Sequence, residues 1–240
     1  MAEHDLFREE SEALAEANRI VASSDLQSGA YRDALGRLTD HYQRLIRETR
    51  RLIVHSDRQE RELTKLNGQL KTLAAQLDYK ARHDALTGVL NRGAIIERIG
   101  EMLKTHDVSV IVLDIDHFKR INDEFGHPAG DAVIVELVRR VQAGLGDGAE
   151  VGRVGGEEFT IVLPDADLAQ AAATAEILRA SLADRHFAAV AGRPVTASFG
   201  VSWNARGTSF DAAYARADQM LYEAKRNGRD RVVWKLTPAD

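Results

Sequence analysis

No proline occurs before Pro128, and only Gly29, Gly36 and Gly68 of the 18 glycines precede residue 84. A stretch so poor in breakers, with leucine recurring at helical spacing, is committed to helix. Leu6, Phe7, Ala13, Leu14, Ala17, Ile20 and Val21 predict a helix over 5–22. Ser23-Ser24-Asp25 and Ser28-Gly29 then supply the stop and start chemistry of a helical hairpin. A second, long helix is predicted over 30–82. From residue 38 its heptad register sets Leu38, Leu45, Leu52, Gln59, Leu66 and Leu73 on one line, with Tyr42, Thr49, Ser56, Leu63, Leu70 and Leu77 on the other. From there to residue 82 such a helix would be about 65 Å long, which is too long and too one-sided for a lone monomeric helix. The seam requires a partner helix. Leucine at both positions from 63 to 77 strengthens it, whereas Thr49, Ser56 and Gln59 leave its middle adjustable.

Charge divides the chain at the same place. Residues 1–83 carry 14 basic and 14 acidic side chains, so the acidic surplus behind the net charge of −5 lies in the remainder. That balance argues against a nucleic-acid polymer as partner, because such proteins present a basic face. Arg44, Arg47, Arg50, Arg51, Arg58 and Arg61 form one basic run. It reads either as a solvated face partly neutralised by Glu9, Glu10, Glu12 and Glu16 or as a docking surface for an acidic partner. With 44% hydrophobic and 29% charged residues, the 240-residue chain has the makings of a packed core and is not broadly disordered. The absence of cysteine removes disulfides, thiolate-bound zinc and a thiol nucleophile, and no apolar run approaches the ~18 residues of a membrane span. A cytoplasmic protein is the expectation.

After residue 84 strands and helices alternate. Residues 107–115 (DVSVIVLDI) form a β-branched apolar run ending in Asp114-Ile115-Asp116, the pattern of a buried strand. A helix over 130–143 follows, then strands over 150–154 and 159–163 around Gly155-Gly156, a tight hairpin. A helix over 166–182, a strand over 195–203, a helix over 210–227 and a strand over 231–235 complete an α/β (α+β) sheet domain. Asp114 and Asp116 fall on one side at period two, and Glu157 and Glu158 follow the Gly-Gly turn, so three or four carboxylates are expected to converge. Crowded carboxylates raise one another's pKa or recruit a cation, and an all-oxygen set favours Mg²⁺ or Mn²⁺.

These motifs together resemble the GGDEF-domain diguanylate cyclase family. The residues that carry the resemblance are Gly155-Gly156-Glu157-Glu158-Phe159, the GGEEF form of the signature, with Asp84-Ala-Leu-Thr-Gly-Val-Leu-Asn-Arg92 and Asp114-Ile-Asp-His-Phe-Lys119-Arg-Ile-Asn122-Asp123. Gly126-His127-Pro-Ala-Gly130-Asp131 and Ala217-Asp-Gln-Met-Leu-Tyr222-Glu-Ala-Lys225-Arg-Asn-Gly-Arg229 complete the set. The resemblance implies a palm-like, ferredoxin-related domain over 83–240 with a mostly antiparallel central sheet, preceded by a helical stalk over 1–82. It implies a homodimer in which each protomer binds GTP with two Mg²⁺ or Mn²⁺ ions, and a product, cyclic di-GMP. By the same carry-over Asp114, the Ile115 carbonyl, Glu157 and Glu158 hold metal, one glutamate helps deprotonate the 3′-hydroxyl, and Lys119, Lys225 and Arg229 meet phosphate. Asn122 and Asp131 match the guanine-reading positions, with Phe118 and His127 beside them, and Gly155 and Gly156 admit the nucleotide to the backbone.

One family feature is missing. Where many members carry R-x-x-D for product inhibition, this chain has Gly146-Asp147-Gly148-Ala149, so feedback through that site is expected to be weak or absent. The stalk is also similar to that of Sia-type biofilm cyclases, which bind an activator there, so regulation by a protein on the stalk is expected. Two other readings remain open: a catalytically silent module that binds GTP or cyclic di-GMP, and a coiled-coil scaffold.

Overall fold

A computed structural model describes residues 8–22, 28–183, 186–190 and 192–234. The chain divides into two compact units, residues 1–74 and 75–240. In the first, helix α1 (Arg8–Ala22) carries Glu9 and Glu10 in its opening turn and Arg19 in its last, complementing the helix dipole. Helix α2 (Ser28–Arg82) is unbroken over 55 residues. Arg44 Nη1 lies 3.0 Å from Glu9 Oε2, so the basic run is neutralised by α1 at that position. Leu63, Leu66, Leu70, Leu73 and Leu77 are each more than half exposed, as expected of a seam that lacks its partner. Leu6, Phe7 and the Ser23–Asp25 stop signal lie outside the described residues.

The second unit is a six-stranded sheet with helices on both faces. Its elements are β1 (Leu90–Asn91), α3 (Arg92–Thr105), β2 (Val108–Ile115), α4 (Phe118–Phe125), α5 (His127–Gly144), β3 (Glu150–Arg153), β4 (Glu158–Pro164), α6 (Leu168–Ala183), β5 (Ala197–Asn204), α7 (Phe210–Arg226) and β6 (Val232–Trp234). The strand order is β1-β3-β4-β2-β5-β6, antiparallel through β3-β4-β2-β5 and parallel at both edges. The four central strands, with α5 and α6 as crossovers, give the expected ferredoxin-like β-α-β-β-α-β arrangement.

Strand β2 is buried along its whole length because side-chain alternation feeds two cores. Ile111, Leu113 and Ile115 join Val133, Leu137 and Leu178 of α5 and α6, whereas Val108, Val110 and Val112 join Ile95 and Ile99 of α3 and Ala217 and Leu221 of α7. Asp114 shares the parity of the second set, which turns its carboxylate toward α7. Helix α7 in turn lies on β5 so closely that a Cβ at Gly200 would stand 2.1 Å from Ala217 O.

Helices α3 and α4 and strand β1 go beyond the sequence reading, which passed over residues 92–105 and 118–125. For α3 the signals were present. Asn91 Oδ1 accepts from Ala94 N as the cap of α3, and Ile95, Ile99 and Met102 repeat at helical spacing behind it. Asn91 Nδ2 also donates to Ala81 O at 2.6 Å, tying the last turn of α2 to the first of α3.

Candidate active site

The site is built where the C-terminal end of β2 meets the β3–β4 hairpin. Register sets Asp114 directly opposite Glu158 on β4 and Ser198 on β5, and Ile115 N donates to Glu157 O at 3.3 Å. Like charges opposed across a ladder repel. The relief comes from α7: Lys225 Nζ lies 2.9 Å from Asp114 Oδ2. Burial pushes the Asp114 carboxyl above its ordinary range, the Lys225 ammonium pulls it back, and Glu158 and Asp116 push it further up. Glu157 is also raised, by burial first and then by Asp114 and Glu158 against the pull of Lys225. Asp114, Glu157 and Glu158 therefore form one negative cluster with a single lysine set against it.

The hairpin connection, residues 154–157, is the expected turn, closed by Val154 N and Gly155 N donating to Glu158 O. Glu158 folds back over the turn, so a Cβ at Gly155 would stand 2.8 Å from its Oε2, while Gly156 opens to free space. Two arginines grip this loop from the side. Arg92 Nη1 donates to Val154 O at 3.2 Å and Arg153 Nη2 to Gly156 O at 2.7 Å. Both were legible as motif neighbours, but the sequence reading assigned neither a role. Tyr214 was passed over as well. It is half-buried on α7, and burial together with the charges of Glu158 and Asp218 raises its phenol.

Across β2 from the hairpin, α4 and α5 carry the nucleotide-reading candidates. Phe118 is buried, and a Cβ on Gly130 would stand 1.9 Å from Asn122 Oδ1 and 3.1 Å from Phe118 Cζ. The structure thus packs Asn122, Phe118 and Gly130 together, while Lys119, His127 and Asp131 stand exposed. Arg229 is half-buried after α7, in left-handed backbone at φ 63°.

One expectation is corrected. Asp116 does not join the carboxylate cluster as a free ligand: Ser198 Oγ donates to its Oδ1 at 2.7 Å, and Thr196 Oγ1 and Asp230 N donate to its Oδ2 at 2.8 and 3.0 Å. Period two puts it on the expected side, but the chain has left the strand there, and Ser198 of β5, Thr196 just before it and Asp230 after α7 supply donors. Among the described residues no group of three or more His, Asp or Glu side chains already stands at metal-binding spacing. The donor chemistry nonetheless fits a hard divalent cation. Asp114, Glu157 and Glu158 are all oxygen donors, and the Asp114 and Glu157 carboxyls are raised, by burial first and then by neighbouring carboxylates.

Among the described residues, no helix is long and apolar enough to cross a membrane. The family model described as diguanylate cyclase, GGDEF domain, matches residues 81–231. The chain is 40% identical over 169 residues to the diguanylate cyclase DgcM of Escherichia coli K12, covering 68% of this chain but 40% of that protein. The coiled coil and GGDEF domain of DgcB from Caulobacter crescentus, solved with c-di-GMP, superposes with a TM-score of 0.69 at 28% identity, covering 72% of this chain and 96% of that one. Diguanylate cyclase SiaD of Pseudomonas aeruginosa, solved with its activator SiaC, superposes with a TM-score of 0.60 at 32% identity, covering 96% of this chain and 88% of that one. With the signature, the sheet order and a family match over most of its length in agreement, the chain belongs to the GGDEF-domain diguanylate cyclase family.

Proposed function

We propose that the chain is an active diguanylate cyclase that joins two molecules of GTP into cyclic di-GMP across a homodimer. Each 3′-hydroxyl attacks the α-phosphorus of the nucleotide on the other protomer. A phosphodiester P–O bond forms, the bond from the α-phosphorus to the bridging oxygen breaks, and pyrophosphate leaves. The observation that carries this reading is the cross-strand opposition of Asp114 and Glu158 beside Glu157 and Lys225, an intact acidic site, with the Asp114 and Glu157 carboxyls raised, rather than a degraded one.

In this reading one of Glu157 and Glu158 takes the hydroxyl proton, and the raised Glu157 carboxyl suits that transfer at neutral pH. Asp114, the Ile115 carbonyl and the two glutamates would hold Mg²⁺ or Mn²⁺, two per site, which when bound lowers the hydroxyl's pKa and offsets charge growing on the phosphoryl oxygens. Lys119, Lys225 and Arg229 bind the triphosphate, whose charge outweighs that of the ions. Asn122 and Asp131 read the guanine edge beside Phe118 and His127, each good contact giving ~1–3 kcal/mol of discrimination. Gly155 and Gly156 leave room for the nucleotide against the backbone.

The stalk, residues 1–82, brings two such domains together and receives a regulatory protein, a reading supported by the exposed seam and by the likeness to SiaD. Product feedback through Gly146–Ala149 is weak or absent in this reading. An active-site-blocked variant that bound product at submicromolar concentration would contradict that point.

The deciding experiment incubates the purified chain with radiolabelled GTP and Mg²⁺ and separates the products by chromatography, with Glu157→Gln as control. Cyclic di-GMP and pyrophosphate are expected from the natural chain and neither from the variant. Binding of GTP without product would instead support the silent module.

A further inference from the structure

Three consecutive residues after α7 take left-handed backbone: Gly228 at φ 110°, Arg229 at 63° and Asp230 at 43°. Glycine adopts it freely, but each of the two L side chains costs ~1–2 kcal/mol there, and such a run persists only where its surroundings impose it. Four contacts impose this one. Arg229 N donates to Ala224 O at 3.0 Å, closing the helix. Arg231 Nε donates to Arg229 O at 3.1 Å. Arg179 Nη1 holds Asp230 Oδ1 at 2.8 Å. The fourth, Asp230 N to Asp116 Oδ2 at 3.0 Å, ties the turn to the sheet.

Asp116 is the fixed end of that tie. It is 6% exposed, its own N–H donates to Thr196 O at 2.9 Å, and Thr196 Oγ1 and Ser198 Oγ occupy its carboxylate. Three of its roughly four acceptor sites are therefore filled by protein. Asp114, two residues earlier on the same backbone, faces Lys225, four residues before Arg229 on the same chain. The pair Asp114 and Asp116 thus contacts both the last turn of α7 and the turn that follows it.

We propose that Asp116 is a positioning residue for nucleotide binding: by holding the left-handed turn 228–230 against the end of β2, it aims the Arg229 guanidinium at the triphosphate. The proposal rests on the reading of Arg229 as a phosphate ligand given above. Asp116 itself touches neither nucleotide nor cation. Its hold on the triphosphate contact passes through Arg229, while its charge also acts on Asp114.

That route through Arg229 makes a double-mutant cycle the test. The full-length chain, Arg229→Ala, Asp116→Ala and the double variant are titrated with 3′-deoxy-GTP, which lacks the attacking hydroxyl and cannot be turned over, with Mg²⁺ present. Arg229→Ala is expected to weaken binding about tenfold, the loss of one charge-assisted contact. Asp116→Ala is expected to weaken it several-fold, and adding it to Arg229→Ala to cost less than about twofold more. Losses that multiply, or an Asp116→Ala chain that binds as tightly as the natural one, would overturn the proposal. Should Asp116→Ala fail to fold, Ser198→Ala and Thr196→Val each remove one donor to the carboxylate and enter the same cycle with the same criterion. A natural chain that does not bind the triphosphate at all would overturn the functional reading instead.

Discussion

Arg153 Nη1 lies 3.0 Å from Asp84 Oδ1, while the other terminal nitrogen of the same guanidinium donates to the Gly156 carbonyl. One planar group thus joins the segment that follows α2 to the turn of the GGEEF signature. Burial alone would raise the Asp84 carboxyl, but hydrogen bonds from the Thr87 hydroxyl, Arg153 and the Thr87 N–H outweigh it and hold the group below its usual value of 3.8. A depressed carboxyl contributes stability above its unfolded pKa and loses it as pH falls through the folded one. Thermal melts of the natural chain and Asp84→Asn are therefore expected to differ by a constant amount at neutral pH, with the gap closing only below pH 3.8. A gap that already closed near neutrality would place the pair's contribution elsewhere.

The hold on the signature turn is itself testable. Arg153→Ala frees the Gly156 carbonyl, and displacing a reacting constellation by about 1 Å costs on the order of a hundredfold in rate. Steady-state kinetics with GTP should show kcat falling by about ten- to a hundredfold with KM changed far less, because no guanine or phosphate contact is removed. An unchanged kcat would mean that Arg92 holds the turn unaided.

At Gly130 the absence of a side chain shapes the proposed guanine pocket. An added methyl would stand 1.9 Å from Asn122 Oδ1 with Phe118 Cζ at 3.1 Å behind it, so the amide must move. Gly130→Ala is expected to weaken GTP binding about tenfold and to narrow the preference for GTP over ATP, since a good base contact is worth ~1–3 kcal/mol. Competition binding of the two nucleotides reads both effects. Equal preference in variant and natural chain would remove Asn122 from base recognition.

The parts of the molecule legible in the sequence are those encoded by short periods and adjacent residues. The β-branched apolar run over 107–115 marked β2 as buried and set Asp114 at its end, and the adjacent glycines marked the hairpin that brings Glu157 and Glu158 beside it. What escaped depends on partners far apart along the chain. The fate of Asp116 is set by Ser198 and Thr196 some eighty residues away and by Asp230 beyond them, and no spacing within Asp-Ile-Asp distinguishes a ligand from an anchor. Arg153 meets Asp84, 69 residues earlier in the chain, only through the fold. Helix α4 was missed because eight residues with only Phe118 and Ile121 buried carry little periodic signal.

Lys225 contacts Asp114, and the same ammonium is the proposed phosphate ligand. A cation arriving alone must displace it, whereas one arriving with a triphosphate finds the lysine drawn to the phosphates. Electron spin resonance of Mn²⁺ with the nucleotide-free protein should show binding about fivefold tighter in Lys225→Met than in the natural chain, the size expected for a partly screened ion pair of ~1 kcal/mol. Triphosphate affinity should fall in the same variant. Mn²⁺ binding that weakened along with it would show that the lysine supports the cation rather than competing with it.

Along α2, Leu66, Leu70 and Leu73 are exposed on the predicted seam, and in the proposed reaction two active sites must meet for each turnover. Pairing of stalks converts that meeting from an encounter in solution to one at an effective concentration near ~1 mM. Leu66→Asn combined with Leu70→Asn leaves α2 helical in each chain but sets two amides where leucines would interlock, and sedimentation should then report a monomer. At about 1 μM protein the specific activity is expected to fall by roughly two to three orders of magnitude and to climb in proportion to protein concentration, while that of the natural chain stays flat. GTP binding should be untouched, since no residue of the nucleotide site has changed. A variant that is monomeric and keeps full activity at that concentration would separate catalysis from the stalk.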